Sequence, residues 1–411
     1  NIAECKVMAK VSEETGLQCA PGHQRHYSVL YDNAVHLLRF GLLGQLHHIR
    51  AQWHRGNVPG RDSWQALLPS DKRIARQLSS FQKQLETATS PSDIETLTRK
   101  VAQWDAWLKD VEVEAAKHGY EDSVLSIGRT RTAMEELVRW RLWQRTGGGL
   151  MAELGSHQLD AASIFCSALR KDGKKARPLS VHAVGGRLIF PGDREVEDHV
   201  FCTYEFPGPE YDPDFVGYYS EEQNFPPKGQ PVLGYEQDPN KKIVVTYSSI
   251  NGNGFGGYGE IVMGTKGTLV LEREKEIMLY KDDDTSARVT VKQDKGGAQL
   301  DTQASGNYAA SSVAKAAAGE NISRGYTEEI EHWAWCIRNP DPENRPRCYP
   351  EVAMADAVLS LTANIAMAKQ ARGDAGFVRF EDGWFDVNSD ATPDGSDVSE
   401  QITRLKNWKI S

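Results

Sequence analysis

Between residues 178 and 281 the sequence passes through six strand-like segments, and the shortness of their connections is what most limits the fold. The segments are "LSVHAVGGRLIF", "HVFCTYEF", "KKIVVTYSSI", "GEIVMG", "GTLVLE" and "EIMLY", all rich in β-branched and aromatic residues. Parallel neighbours need a crossover of a dozen or more residues, whereas antiparallel ones need only a tight turn. Several of these connections are too short for a crossover, so the segments predict a mostly antiparallel sheet. An earlier segment, "QLHHIRAQWHR", alternates in the same way and adds a strand. On it, His47 and His48 point to opposite faces and cannot form a joint ligand site.

Helical spacing surrounds the strands. Residues 2–16 predict a helix with Gly16 as C-cap, "LQCAPGHQR" a short strand leading into a turn, and residues 27–40 a second helix ended by Gly41. Residues 70–118 are charged, with apolar residues at Ile74, Leu78, Phe81 and Leu85, then at Ile94, Leu97, Val101, Trp104, Leu108 and Val111. This predicts a helical hairpin inserted into a larger domain, with Ser92 and Glu95 spaced as a capping box. Another helix begins near Gly149, and two more close the body at Tyr326–Arg338 and Pro350–Gln370. The stretch 207–240, rich in Pro, Gly, Tyr and acids, predicts a long surface excursion, and 303–322 a mobile loop. The fold class is therefore α/β: an open, mostly antiparallel sheet flanked by helices.

Composition removes several functions. The 411 residues are ample for two domains with cores of their own. The net charge of −9, with no basic stripe, argues against nucleic acid as a partner. The six cysteines include no C-x-x-C pair, so no zinc knuckle is indicated, and buried thiols in a reducing, cytoplasmic compartment are expected. No apolar run approaches the ~18 residues of a spanning helix, so no membrane association is expected. No signal peptide is visible, although the abrupt start "NIAECKVMAKVSEETG" leaves room for an upstream address.

Gly254, Gly256 and Gly259, in "SSINGNGFGGYGE", spell the dinucleotide-binding pattern G-x-G-x-x-G. That pattern works by opening a helix, whose N-terminus holds the pyrophosphate. Here "EIVMGTKGTLVLE" follows, which is strand, turn and strand. The glycines are expected to bend a loop between strands, and Tyr258 within it could face a polar substrate.

The stronger chemical signal is "RTGGGLMAELGSHQLDAASIF", residues 145–165. On a regular helix Glu153, His157 and Asp160 share one face, spread over about 60°. Imidazole exchanges protons near neutrality, and an acid one turn away can orient it. The plainer alternative is a hydrogen-bonded helix face without chemistry. Metal is disfavoured for the triplet, because its ends are separated by a rise of about 10 Å and cannot reach one ion. Arg141 and Trp143, just before the glycine run, and Tyr258 are further substrate-binding candidates, as a bidentate donor and two aromatics. His199, in "VEDHVF", is expected to be an ordinary sheet residue.

With Gly147, Gly148, Gly149, Glu153, Gly155, His157 and Asp160, this segment resembles the signature of the Gfo/Idh/MocA oxidoreductases, the glucose–fructose oxidoreductase and inositol dehydrogenase family. "APGHQRHYSVLYDNA" resembles the end of that family's cofactor domain, and "GLLGQLHHIRA" the entry to its sheet domain. The resemblance implies residues 1–26 as the tail of a Rossmann domain. Residues 27–411 would form the substrate and oligomerisation domain, carrying the 70–118 hairpin. It implies His157 as proton-transfer group or ligand of the substrate hydroxyl, with Glu153 as its acid. It places His23, Gln24 and Arg25 near a nicotinamide, NAD or NADP, and implies a sugar or polyol substrate and a homo-oligomer paired through the sheet. The family's glycine loop and Glu-Lys-Pro lysine have no counterpart in this sequence, so the cofactor half is expected to lie outside it. The readings that follow are an NAD(P)-dependent oxidoreductase, an NAD-dependent glycosidase-type enzyme on the same scaffold, or a non-catalytic carbohydrate-binding or assembly subunit.

Overall fold

The computed structural model describes residues 1–59, 64–65, 70–212, 215, 230–281, 290–294, 297–301, 313–317 and 324–407. The chain divides into two compact units: Asn1–Gly56 with Leu150–Leu188 and Glu197–Ser411, and Asn57–Gly149 with Ile189–Val196. Residues 1–26 thus belong to the same unit as the sheet.

The larger unit is a nine-stranded open sheet with helices packed on it. Its strands are β1 (Leu46–Arg55), β2 (Ser180–Gly186), β3 (His199–Pro207), β4 (Lys242–Asn251), β5 (Tyr258–Gly264), β6 (Gly267–Glu272), β7 (Glu276–Lys281), β8 (Val313–Ala317) and β9 (Phe377–Arg379). They lie in the order β8-β7-β6-β5-β1-β4-β3-β2-β9. Every neighbouring pair is antiparallel except β1 and β4, which run parallel. The helices are α1 (Ile2–Thr15), α2 (Val29–Arg39), α3 (Ser156–Ser167), α4 (Tyr326–Arg338), α5 (Pro350–Ala371) and α6 (Val398–Asn407).

The strands predicted from residue 45 onward form, and Gly16 caps α1 in the left-handed region at φ 68°. "LQCAPGHQR" forms no strand. Pro21 has no N–H to give a ladder, and the chain turns into a short 3₁₀ segment, Gln24–Tyr27. Within 303–322, predicted as loop, residues 313–317 form edge strand β8 along β7. The stretch "VAKAA" has little β propensity, with one β-branched residue, Val313. The rest of 303–322 lies outside the described residues, as do 213–214 and 216–229 of the surface excursion.

α5 fills the middle of the helical layer, with Met354, Val358, Leu359, Ala363 and Ala366 all within the core. It is the one helix among the described residues long and apolar enough to cross a membrane by length and composition, and 56% of its apolar window is buried here. The sequence had shown no such run because Asp356, Ser360, Thr362 and Asn364 interrupt it.

The smaller unit contains the predicted helical hairpin, Asp71–Thr87 and Pro91–Asp110. Its second helix starts two residues earlier than the Ser92/Glu95 spacing suggested. Ser90 is the N-cap and Pro91 the first helical residue, where proline's fixed φ is already helical. Trp143 is fully buried in this unit, packed with Leu125 and Leu142. The guanidinium groups of Arg131 and Arg139 lie 5.1 and 5.7 Å from its ring.

The three motif glycines sit where β4 turns into β5, and no helix follows them. Gly254 abuts the backbone of Gly56, where a Cβ would lie 3.0 Å from the Gly56 nitrogen. A Cβ on Gly259, at φ 153°, would lie 2.1 Å from the Leu271 carbonyl oxygen. Gly259→Ala must therefore push β5 from β6, and a loss of about 1–3 kcal/mol is expected in urea unfolding. An unchanged midpoint would contradict this packing role.

Candidate functional site

The site grows out of the end of β1. Along that strand Ile49 and Ala51 are fully buried beneath the helices. Trp53 and Arg55 continue the same alternation to the strand's C-terminal end, where the cover thins and both are half-buried. β5 does likewise from the other direction: Val262 and Glu260 are buried, and Tyr258 emerges opposite Trp53. The two rings stack at 4.5 Å with 18° between planes, a contact worth about 0.5–1.5 kcal/mol beyond its area. Arg324 donates to the Tyr258 hydroxyl at 2.7 Å and pairs with Glu274.

Above this platform comes the glycine-rich signature. The sequence predicted one regular helix, but residues Met151–Gly155 form a π-helical turn that leads into α3. Gly155 lets that turn lie on the sheet, since a Cβ there would meet Met151 Cε at 3.1 Å and Tyr247 Cε1 at 3.3 Å. π-turns of this kind recur at functional sites. The insertion spreads the three predicted residues apart. Glu153 accepts from Arg55 Nη1 at 2.8 Å. His157 faces the rings of His23 and Trp53, with centroids at 5.0 and 6.1 Å. Asp160 turns inward and is 1% exposed.

Asp160 belongs to a buried charge network. Lys175 Nζ donates to Asp160 Oδ1 at 2.8 Å and to both Asp356 oxygens at 2.7 and 2.6 Å. His26 Nε2 donates to Asp160 Oδ1 at 2.9 Å, and His23 Nδ1 to Asp356 Oδ2 at 3.1 Å. His23, Asp160 and Asp356 have ligand atoms within 4.8 Å of one another, a spacing that suits a metal ion. The Lys175 ammonium already stands among the carboxylates, so the cation that balances them is part of the chain.

These charges set the titration of the histidines. Burial, followed by the nearby cationic His23, Arg25 and Arg55, pushes His157 down to about 3, against the opposing pull of Asp160. For His23 burial acts downward, but the bond to Asp356 and the charge of Asp160 outweigh it, and its pKa is raised. Asp160 sits well below the usual carboxylate range. Burial works against its ionisation, and His26 and Lys175 override it. Glu260 is lifted to about 7, first by burial and further by Glu274, although Arg25 and the Tyr31 hydroxyl bond favour its charge.

His157 makes no hydrogen bond to any described residue, and its ring nitrogens are not sealed from solvent. It is thus a neutral imidazole with free valences, set between an aromatic stack and an ion pair. Arg25 and Gln24 are committed elsewhere. Arg25 is 1% exposed, paired with Glu274 at 2.9 Å and bonded to the Tyr31 hydroxyl at 3.0 Å. Gln24 donates to Glu274 and to the Tyr326 hydroxyl. Of the three residues assigned to a nicotinamide, only His23, with 12% of its side chain exposed, reaches the surface beside His157. Among the described residues there is no glycine loop opening a helix after a strand, and the residues present do not make a dinucleotide cradle.

Arg141 and Trp143 lie in the smaller unit. His199, on β3, bonds Asp198 at 2.8 Å. His47 and His48 do not simply alternate: the register of β1 against β5 shifts between Leu46 and His48, and both histidines lie between the inward-facing Leu46 and Ile49. Sequence reasoning missed Trp53, Arg55, Arg324, Lys175 and Asp356. The alternation of β1 carried a signal for the first two, because it put Trp53 and Arg55 on one face. Two cavities of about 520 and 630 Å³ open elsewhere on this unit, and neither is lined by His157, Glu153 or Trp53.

No protein-family model and no curated protein matches this sequence. Solved structures similar to it are of the Gfo/Idh/MocA oxidoreductase type. One is the aldose-aldose oxidoreductase from Caulobacter crescentus complexed with glycerol (14% identity, 92% of this chain and 69% of that one, TM-score 0.44). Another is an NAD binding oxidoreductase from Klebsiella pneumoniae (14% identity, 92% and 71%, TM-score 0.46). A third is a super-repressor mutant of Gal80p from Saccharomyces cerevisiae (12% identity, 92% and 69%, TM-score 0.46). TM-scores this low assign no activity.

Because His157 loses its proton near pH 3 when folded and near 6.5 when unfolded, the unfolded chain binds more protons between those values. Stability contributed by this residue is therefore present above pH 6.5 and declines as pH falls toward 3. The His157 imidazole resonances are expected to stay in the neutral form down to pH 4 in an NMR titration. A midpoint near 6.5 would contradict the burial and charge argument.

Proposed function

We propose that the larger unit is the substrate-binding part of an oxidoreductase acting on a carbinol carbon of a sugar, polyol or related compound, with NAD or NADP as hydride partner. The observation that carries this reading is His157: neutral, without a side-chain hydrogen bond among the described residues, and set beside the Trp53–Tyr258 stack and the Arg55 that holds Glu153. Sugars present apolar C–H faces and rows of hydroxyls, and such an aromatic platform flanked by charged donors and acceptors matches both.

The chemistry assigned to these residues is modest. A neutral imidazole can accept a hydrogen bond from the substrate hydroxyl and hold it in place. At a pKa of about 3 it is too weak a base to keep that proton, so its role is the hydroxyl ligand. Glu153, fixed by Arg55, and Arg324, beside Tyr258, bond neighbouring hydroxyls. Nicotinamide would supply the hydride acceptor; with no cradle for it among the described residues, no step is drawn through it. The sealing of Gln24 and Arg25 favours a second reading, a carbohydrate-binding subunit without chemistry of its own.

Titration calorimetry with a panel of sugars and polyols, alongside NAD(P)H formation, tests both. A ligand from the panel is expected to bind, and Trp53→Ala and His157→Ala each to weaken it about tenfold or more while circular dichroism stays unchanged, as loss of a bidentate or stacked contact of about 1.4 kcal/mol implies. Binding with NAD(P)H formation supports the oxidoreductase, and binding without it the subunit. If no member binds, or the variants bind as well as the parent, the site assignment is wrong.

A further inference from the structure

We infer that the larger unit carries a second binding site, a pocket for a small ligand bearing a phosphate group. A cavity of about 630 Å³ opens beside α2, the end of α3 and the start of α5. Its charged lining consists of Arg39, Arg170, Lys174, Lys175, Arg177 and Arg347 against a single carboxylate, Glu351. This gathering of cations occurs on a chain whose net charge is −9.

Several of these cations are tied down. Arg170 pairs with Asp172, Arg347 with Asp32 at 3.2 Å, and Lys175 with Asp160 and Asp356. The side chains of Arg39, Lys174 and Arg177 form no ion pair among the described residues, although the Lys174 backbone N–H donates to Asp172 at 3.1 Å. Arg39 is steadied by its Nε bond to the Ala168 carbonyl at 3.0 Å, and Arg177 by lying 5.1 Å over the Phe385 ring. Two of the unpaired groups are therefore guanidinium forks already held in place, which suits bidentate recognition of a tetrahedral oxyanion.

Unpaired cations around one concavity raise the local positive potential and concentrate anions there. The volume is that of a small-molecule site, which usually runs to about 300–1,000 Å³. One confined basin on an otherwise acidic protein fits a metabolite-sized anion rather than a nucleic-acid backbone. Lys175 and His26, which also line the pocket, are both bound to Asp160, one helical turn from His157. A bound anion would thus rest on the far side of the network that faces the candidate site. The inference stands on this pocket alone and does not depend on the reading of the Trp53–His157 site.

The test is titration calorimetry at constant ionic strength with inorganic phosphate and with glucose 6-phosphate, using glucose as the uncharged control. The parent protein and the Lys174→Glu/Arg177→Glu double variant are compared; both side chains are exposed, so the fold is expected to persist. The parent is expected to bind at least one phosphate probe, and the double variant to bind it at least tenfold more weakly. Tighter binding of glucose 6-phosphate identifies a phosphoester ligand, and tighter binding of inorganic phosphate identifies the free anion. No binding of either probe by the parent, or equal binding by the double variant, overturns the proposal.

Discussion

One ammonium group joins three parts of the chain that are far apart in sequence. Lys175, just after α3, lies between Asp160 on α3 and Asp356 on α5, and through those carboxylates it reaches His26 and His23 near the start of the chain. Burying two carboxylates costs several kcal/mol each, which only a close cation and well-aimed donors can offset. Remove the ammonium, and Asp160 and Asp356 face each other in the core without their principal counter-charge. The helical layer holds its arrangement on the sheet because these groups demand one another.

The candidate site depends on that arrangement. Asp356 and Asp160 raise the pKa of His23 against its burial, and His23 is, after burial, the largest influence that lowers the pKa of His157. The sheet supplies the rest. β1 and β5 present Trp53 and Tyr258 in register, and the π-turn directs Glu153 to Arg55 while α3 carries His157 over the stack. The candidate side chains thus come from the sheet end and the turn above it, and the electrostatic setting comes from the helices behind.

How much of this was legible in the sequence differs by element. Strands with alternating or continuous β-branched residues declared themselves, and the glycine triplet at 254–259 was recognisable as a loop between strands because strand residues follow it, although the two strands it joins lie on either side of β1. β8 was not, because its three alanines and one lysine carry little strand signal beside the single Val313. The Glu153, His157 and Asp160 stripe was visible as a group, but its division of labour was not. A π-turn leaves no clear mark on composition, so the shared helix face could not be seen to split into an ion pair, a free imidazole and a buried carboxylate. Arg25 and Gln24 looked available for a ligand, yet Glu274 claims both, from 250 residues away in the case of Gln24. Long-range pairings of this kind leave no local pattern, and Lys175, in the ordinary-looking stretch "RKDGKKARP", shows the same limit.

The most direct test of the account is Lys175→Met, which keeps much of the side-chain volume and removes only the charge. Urea unfolding of this variant, with the His157 imidazole followed by NMR in the same samples, reads both consequences. The account predicts a loss of about 3–5 kcal/mol, as for breaking one partner of a buried ion network, together with a shifted His157 resonance. A variant as stable as the parent, with the His157 signal in place, would contradict the claim that this ammonium holds the helical layer and sets the site.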